Sequence, residues 1–412
     1  MKRIAMISVH ECPLASSEGK EKGGINVYVF EFSKALSKIG YSIDIFTRAQ
    51  DTVNPRIVHI NEKTRVIHLP AGPLTKYPKK EVIQHLSEFA NNMHEFIEKE
   101  RLRYDLIHAH YYYSGIVAHT LRNTHKIKSP IIMSFHTLGL MKQLVSRSEL
   151  TNDPKERISI EQTLVKNSDF FVTSSDNDAM YLSSLYDCPQ NKIASIPPGV
   201  DTVLFRPKNK QASKIAIGAD INHRIIVAVG RIDPIKGFDV LLFALKILLY
   251  SHPELAKKVC LWIVGGDVGE DKSSWSTELQ SLERLQMTLG LATSVRFVTA
   301  KPQEKLPDYY NAADVVVMPS HYESFGMVAL EALACGTSII ATDVTGISPM
   351  LKTFPKGHVI SANNPIKLAE ELYRVTMKQK EHHLNPKDLS LLDWSTMAAK
   401  MKKAYESVQK KL

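Results

Sequence analysis

The stretch Asp314-Val-Val-Val-Met318-Pro-Ser-His-Tyr-Glu323-Ser-Phe-Gly326-Met-Val-Ala-Leu-Glu331-Ala-Leu-Ala334 decides the fold class. It opens on a short apolar run, passes through a polar turn containing proline and glycine, and closes on a segment rich in Ala, Leu and Met. That order is buried strand, turn, helix, the step from which open α/β sheets are wound, and such turns hold ligands at sheet edges. Two carboxylates straddle the junction. Glu323 falls in the turn and Glu331 inside the helix, separated by at most roughly 12 Å if the span were wholly helical.

The same rhythm runs outward in both directions. Ile4–Val9 and Tyr41–Phe46 are strand-like, and between them Asn26–Ile39 places Val27, Phe30, Leu36 and Ile39 at near-helical spacing, closed by Gly40. Further strands are expected at Arg65–Leu69, Leu106–Ala109, Ile131–Phe135, Phe170–Thr173 and Lys192–Ile196, with a helix over Glu81–Lys99. After Pro197-Pro-Gly-Val-Asp201, a stiff and turn-prone boundary, strands at Ile225–Gly230, Val259–Gly265, Val295–Thr299, Val315–Met318 and Ser338–Ala341 alternate with helices. The fold class is therefore α/β, with two Rossmann-like doubly wound parallel sheets. The domains expected are 1–196, a hinge at 197–206, a second domain at 207–388, and a terminal segment 389–412 whose amphipathic helix Trp394–Lys410 braces the first domain through Met397, Met401, Tyr405 and Val408.

Length and composition agree. The 412 residues, 44% hydrophobic and 23% charged, are more than one core usually supports. The N-terminal apolar run is too short for a signal peptide, and Val240–Tyr250 is interrupted by Lys246 and far shorter than a membrane span; a cytoplasmic location is expected. Cys12, Cys188, Cys260 and Cys335 contain no C-x-x-C pair, which argues against a zinc site or a disulfide framework. The net charge of +9 makes acidic ligands plausible without choosing among phosphates, nucleic acid and anionic lipid.

Four segments carry chemistry. Glu323 and Glu331 can accept hydroxyl hydrogen bonds at opposite ends of a sugar nucleotide, although the pattern alone also fits a polar turn with an exposed helical glutamate. Gly230-Arg231-Ile-Asp-Pro-Ile-Lys236-Gly237 puts two cations between a strand and a helix start, suited to a diphosphate; a solvated basic loop is the alternative. Gly23-Gly24 opens the first helix, where main-chain N–H groups can approach a phosphate, or it is a plain flexible turn. No G-x-G-x-x-G follows the first strand, so a dinucleotide fingerprint is absent. His136 follows one strand and His108-Ala-His110-Tyr111 another; these histidines lack a further ligand at convincing metal spacing, and local hydrogen bonding competes as their role. Lys79, Tyr111 and Arg157 are scattered polar positions whose meaning depends on whether the fold gathers them.

Together these segments resemble the retaining glycosyltransferases of family 4, over nearly the whole chain. The marks are Glu323-x7-Glu331 within Pro-Ser-x-x-Glu-Ser-Phe-Gly, Gly-Arg-x-x-x-x-Lys-Gly at 230–237, Pro-Pro-Gly-Val-Asp at 197–201, and Gly23-Gly24-x-Asn-Val-Tyr. The resemblance implies a GT-B fold, two facing Rossmann-like domains with the active site in the cleft. It implies that Arg231 and Lys236 hold the donor diphosphate, assisted by Gly23 and Gly24, and that Glu331 binds ribose. Glu323, with Ser324, Phe325 and Gly326, would hold the donor sugar, with His136 beside the reacting carbon. The branch acting on inositol phosphate matches best, sucrose-phosphate synthases next, and that match makes Asn26, Lys79, Tyr111, Thr137 and Arg157 the acceptor residues. The partners implied are a nucleotide-diphosphate sugar, UDP-linked, as co-substrate and a phosphorylated cyclitol or sugar as acceptor. No metal or other cofactor is required, no nucleic acid is bound, and homodimerisation is left open. A membrane surface, with a lipid or lipopolysaccharide precursor as acceptor, is a less favoured partner, suggested by the basic cluster Lys76–Lys80 and the net charge of +9. A noncatalytic sugar-nucleotide binder or an epimerase of the same architecture is the alternative from another class. Gly336-Thr-Ser338 and Thr345-Gly-Ile-Ser-Pro349 depart from the family's usual Gly-Thr-Pro and Gly-Gly-x-x-Glu.

Overall fold

The computed structural model describes residues 2–14, 23–75, 77–145, 155–269, 271–324, 326–344, 346–377 and 386–410. The chain divides into two compact units: one runs to Pro198 and takes in Trp394 onward, and the other is Gly199–Asp393. The first unit is built on strands β1 (Arg3–Ile7), β2 (Ser42–Arg48), β3 (Ile57–Asn61), β4 (Thr64–Leu69), β5 (Leu106–His110), β6 (Ile131–Ser134), β7 (Phe170–Thr173) and β8 (Ile193–Ser195). They form one sheet in the order β3-β4-β2-β1-β5-β6-β7-β8, parallel except for β3 on β4. The edge strand β3 has no counterpart among the sequence-based expectations. Its Ile-Val-His-Ile-Asn run is only half-buried and follows a proline, so neither alternation nor continuous apolarity marks it.

The second unit holds β9 (Arg224–Val229), β10 (Val259–Val264), β11 (Val295–Val298), β12 (Val315–Met318), β13 (Ile339–Thr342) and β14 (Gly357–Ile360), all parallel, in the order β11-β10-β9-β12-β13-β14. Successive side chains on a strand point to opposite faces, and both faces are covered. Ile225, Val227, Val316 and Ile339 enter one apolar cluster, while Ile226, Ala228, Val317 and Ile340 enter another. That double burial is why these strands read as uninterrupted apolar runs.

In each sheet the chain begins in the middle, builds one side, then returns to build the other. The reversal falls between β1 and β5 in the first unit and between β9 and β12 in the second. Loops leaving the carboxyl ends of strands at such a switch point form the natural ligand crevice of a doubly wound sheet. The helix Gly24–Lys38 leaves β1 and buries Tyr28, Val29, Phe32, Ala35 and Leu36. Of the four apolar positions expected to face the core only Leu36 does, and Ile39 is exposed, because the buried stripe is rotated toward the aromatics. The helix Trp394–Gln409 packs on Gly24–Lys38 through buried Met397, Met401, Tyr405 and Val408, whereas Pro386–Leu392 belongs to the second unit. No helix among the described residues is long and apolar enough to cross a membrane.

Candidate active site

In the second unit the loops from β9 and β12 interlock at the switch point. The His321 N–H donates to the Ile235 carbonyl at 2.8 Å, and Gly237, in the left-handed region at φ +65, lies so close that a Cβ there would sit 2.2 Å from the Pro319 carbonyl oxygen. Gly237→Ala should therefore destabilise this unit by at least about 2 kcal/mol, a fall of roughly 4–8 °C in thermal midpoint for a unit of this size. An unchanged midpoint would show that the two loops are not locked.

This junction brings Lys236 and Glu323 together as an ion pair between Nζ and Oε2. Asp233 accepts from the Ile235 N–H at 3.1 Å and starts the short turn Pro234–Lys236 that presents the lysine. Arg231 is exposed on the same loop. Past Glu323, Ser324 is buried and donates to the Tyr322 hydroxyl at 2.7 Å; Phe325 lies outside the described residues. Gly326, at φ +72, begins the helix Met327–Ala334, and a Cβ on it would meet Ile347 Cγ2 at 2.6 Å. The departure at 345–349 thus has a structural consequence: Ile347 seats against Gly326, and the Gly346 N–H donates to the Glu323 carbonyl at 2.8 Å.

Glu331 is buried rather than exposed, which removes one alternative left by the sequence. Its Oε2 accepts from the Tyr310 hydroxyl at 2.5 Å, yet burial still raises the carboxyl to about 7. The sign is set by linkage: a carboxyl raised above its unfolded value loses stability as pH rises from about 4.5 through 7. The loss is about 3 kcal/mol for a value raised from 4.5 to about 7, and Glu331→Gln should flatten it in denaturant titrations across that range.

In the first unit the fold gathers residues scattered along the chain. Lys79 Nζ stands 3.7 Å from the centroid of the Tyr111 ring, and the Arg157 guanidinium lies 5.0 Å from the same ring. Arg157 donates to the Thr137 carbonyl at 2.6 Å and to Thr137 Oγ1 at 3.2 Å, while its Nε donates to Glu161 Oε1 at 2.7 Å. Glu161 also accepts from the Gly139 N–H at 2.9 Å and the Tyr186 hydroxyl at 2.5 Å. Tyr111 and His136 hold left-handed backbone conformations, φ +73 and +62, which side-chain-bearing residues adopt at a cost. Lys79, Tyr111, Thr137 and Arg157 therefore form one cationic and hydroxyl-lined patch.

Asn26 is fully buried. Its Nδ2 donates to the Cys12 carbonyl at 2.8 Å and its Oδ1 accepts from the Gly23 N–H at 3.2 Å, so it ties Cys12 to the helix start. Neither Gly23 nor Gly24 has a positive φ, so backbone conformation does not demand glycine there; a Cβ at Gly24 would meet nothing within 4 Å. His136 is half-buried, pushed to about 3 by burial and by nearby Lys79, and its Nε2 lies 2.9 Å from His110 Nδ1. His108 is held to about 3 by burial and bonds Tyr405 and Ser134.

Sequence reading passed over two groups. His10, a half-buried residue whose side chain is only 4% exposed, lies beside Tyr111 with ring centroids 4.5 Å apart and is held well below its usual range by loss of solvent and by Lys79; only its place after the first strand could have flagged it. Gly265-Gly266 ends β10, where a Cβ on Gly265 would fall 1.8 Å from the Gly230 carbonyl oxygen. The doubled glycine was the available signal.

Comparison with known proteins agrees with this geometry. Residues 22–204 match the family described as Glycosyltransferase Family 4, and residues 209–387 match Glycosyl transferases group 1. The D-inositol 3-phosphate glycosyltransferase of Corynebacterium jeikeium is 33% identical over 413 residues, 98% of this chain and 97% of that one. D-inositol 3-phosphate glycosyltransferase 2 of Catenulispora acidiphila is 35% identical over 368 residues, 88% and 84% of the two chains. Among solved structures, sucrose-phosphate synthase from Thermosynechococcus elongatus superimposes with a TM-score of 0.87 at 29% identity over the whole of both chains. With both sheets of the GT-B architecture present and relatives above 30% identity along nearly all its length, the chain belongs to the family 4 glycosyltransferases and is a glycosyltransferase enzyme.

Proposed function

We propose that the enzyme moves a hexose or N-acetylhexosamine, with retention, from a UDP-sugar to a hydroxyl of a phosphorylated cyclitol, inositol phosphate being the leading candidate. The observation that carries the reading is the gathering of Lys79, Tyr111, Thr137 and Arg157 from four separate segments into one patch. Arg supplies a planar fork and Lys a point charge, the two donor geometries that phosphate recognition uses. The names of the relatives point to the same acceptor class.

On this reading Arg231 and Lys236 hold the donor diphosphate, Glu331 the ribose hydroxyls, and Glu323 with the following amides the sugar. The bond from the anomeric carbon to the diphosphate oxygen breaks and its electron pair leaves with the diphosphate. The acceptor oxygen bonds to that carbon on the same face, and the acceptor proton passes to the departing diphosphate oxygen. No protein nucleophile is required; the protein supplies position and positive charge. Glu331 accepts hydroxyl hydrogen bonds best when ionised, so UDP affinity should rise by about ten-fold from pH 6 to 8 if only the ionised form binds. Glu331→Gln should remove that dependence in calorimetric titrations.

A hexose phosphate is the second acceptor reading, favoured by the likeness to sucrose-phosphate synthase. A membrane surface is a third reading, resting on the same basic cluster, of which Lys79 lies against the Tyr111 ring and Lys80 is exposed; Lys76 lies outside the described residues. A panel of UDP-sugars against inositol phosphate and hexose phosphates, read by mass spectrometry and by the anomeric proton coupling of the product, tests the proposal. A phosphorylated product with the donor's anomeric configuration is expected; an inverted linkage would overturn retention.

A further inference from the structure

The imidazoles beside the acceptor patch, two buried and one half-buried, can be assigned proton by proton. Ser134 Oγ donates to the Val172 carbonyl at 3.1 Å, so toward His108 it has only lone pairs to offer. His108 Nε2, 3.0 Å away, therefore carries the proton, and His108 Nδ1 accepts from the Tyr405 hydroxyl at 2.7 Å. His110 lies against His108 with ring centroids 4.3 Å apart, and its Nδ1 faces His136 Nε2 at 2.9 Å. His110 Nε2 is buried with no hydrogen-bond partner among the described residues.

Two neutral arrangements satisfy the bond between His110 and His136. If His110 carried its proton on Nε2, an N–H would be buried without an acceptor. If it carries the proton on Nδ1, only a lone pair is left over, and orphaned buried N–H groups are the rarer of the two in folded proteins. The geometry points to His110 as a positioning residue that donates from Nδ1 to His136 Nε2 and so fixes His136 as its Nδ1–H tautomer. Neutrality of all three rings follows from burial, which pushes each below its usual range. Nδ1 of the half-buried His136 has no hydrogen-bond partner among the described residues, so the nitrogen it presents is a donor.

The consequence rests on the reading that His136 stands beside the reacting carbon. A neutral ring showing N–H cannot take the acceptor's proton. It can donate to a hydroxyl of the transferred sugar or to charge growing on the leaving oxygen, which leaves the diphosphate as the proton's destination.

The test is a long-range proton–nitrogen correlation spectrum of the full-length enzyme labelled with 15N-histidine, at neutral pH, with the His136 signals assigned by their loss in His136→Gln. The expected result is a protonated Nδ1 and an unprotonated Nε2 on His136. In His110→Phe the two tautomers should interconvert, and in His110→Asn, whose amide N–H stands where Nδ1–H stood, the single tautomer should return. A proton on Nε2 of wild-type His136, which needs no variant to observe, or an unchanged tautomer in His110→Phe, would overturn the proposal. Turnover should fall by about ten- to a hundred-fold in His110→Phe with little change in donor KM, and recover largely in His110→Asn. Tautomers that shift as expected with turnover unmoved would support the assignment of His110 and overturn the placement of His136 at the reaction.

Discussion

Lys236→Ala is expected to cut turnover by about 10²- to 10³-fold, with a much smaller change in donor KM. The side chain is half-buried at the switch point, presented by a turn that Asp233 starts and Gly237 ends, and balanced by Glu323. Under the proposed reaction, negative charge grows on the diphosphate only as the glycosidic bond breaks. A cation fixed there is worth more in the transition state than in the bound donor, so its loss falls on kcat. Lys236→Arg keeps the charge but not its compact shape and should recover part of the rate. Steady-state kinetics on folded variants decide the matter, and wild-type turnover in Lys236→Ala would remove the donor site from this loop.

Arg157→Met should act twice. Arg157 and Glu161 are both fully buried and paired, so removing the cation strands a carboxylate and should cost about 3–5 kcal/mol, or roughly 10 °C in the midpoint of the first unit. It also deletes the guanidinium beside Thr137 and Tyr111, which should lower kcat/KM for a phosphorylated acceptor by about a hundred-fold. Donor hydrolysis without acceptor should be unaffected below the melting range. An equal loss in both activities would mean that Arg157 only holds the fold.

The parts of the site that could be read in the sequence are those carried by local order. The passage from β12 through Glu323 and Gly326 to the helix bearing Glu331 lies within one stretch, and the strand, turn and helix appear where the apolar run, the glycine and the Ala-Leu segment placed them. What joins distant stretches was not legible. Lys236 was assigned to a diphosphate and Glu323 to a sugar, but 87 residues separate them and nothing local announces that they pair. Glu331 has its partner in Tyr310, on a different helix, and its burial could not be told from an exposed helical glutamate by periodicity. Lys79, Tyr111, Thr137 and Arg157 acquired meaning through the resemblance, and their proximity is a property of the sheet order, which brings the ends of β5 and β6 side by side. Strands β3 and β14 escaped because partly exposed edge strands carry little apolar signal.

On the proposed reading, the patch on the first unit recognises a phosphate on the acceptor. The most direct measurement compares kcat/KM for inositol phosphate and for unphosphorylated inositol with the same UDP-sugar and the full-length enzyme. A preference of about 10²-fold or more for the phosphorylated acceptor, collapsing in Lys79→Ala, is the expected result. Equal use of the two acceptors, or a preference that survives loss of Lys79, would contradict it.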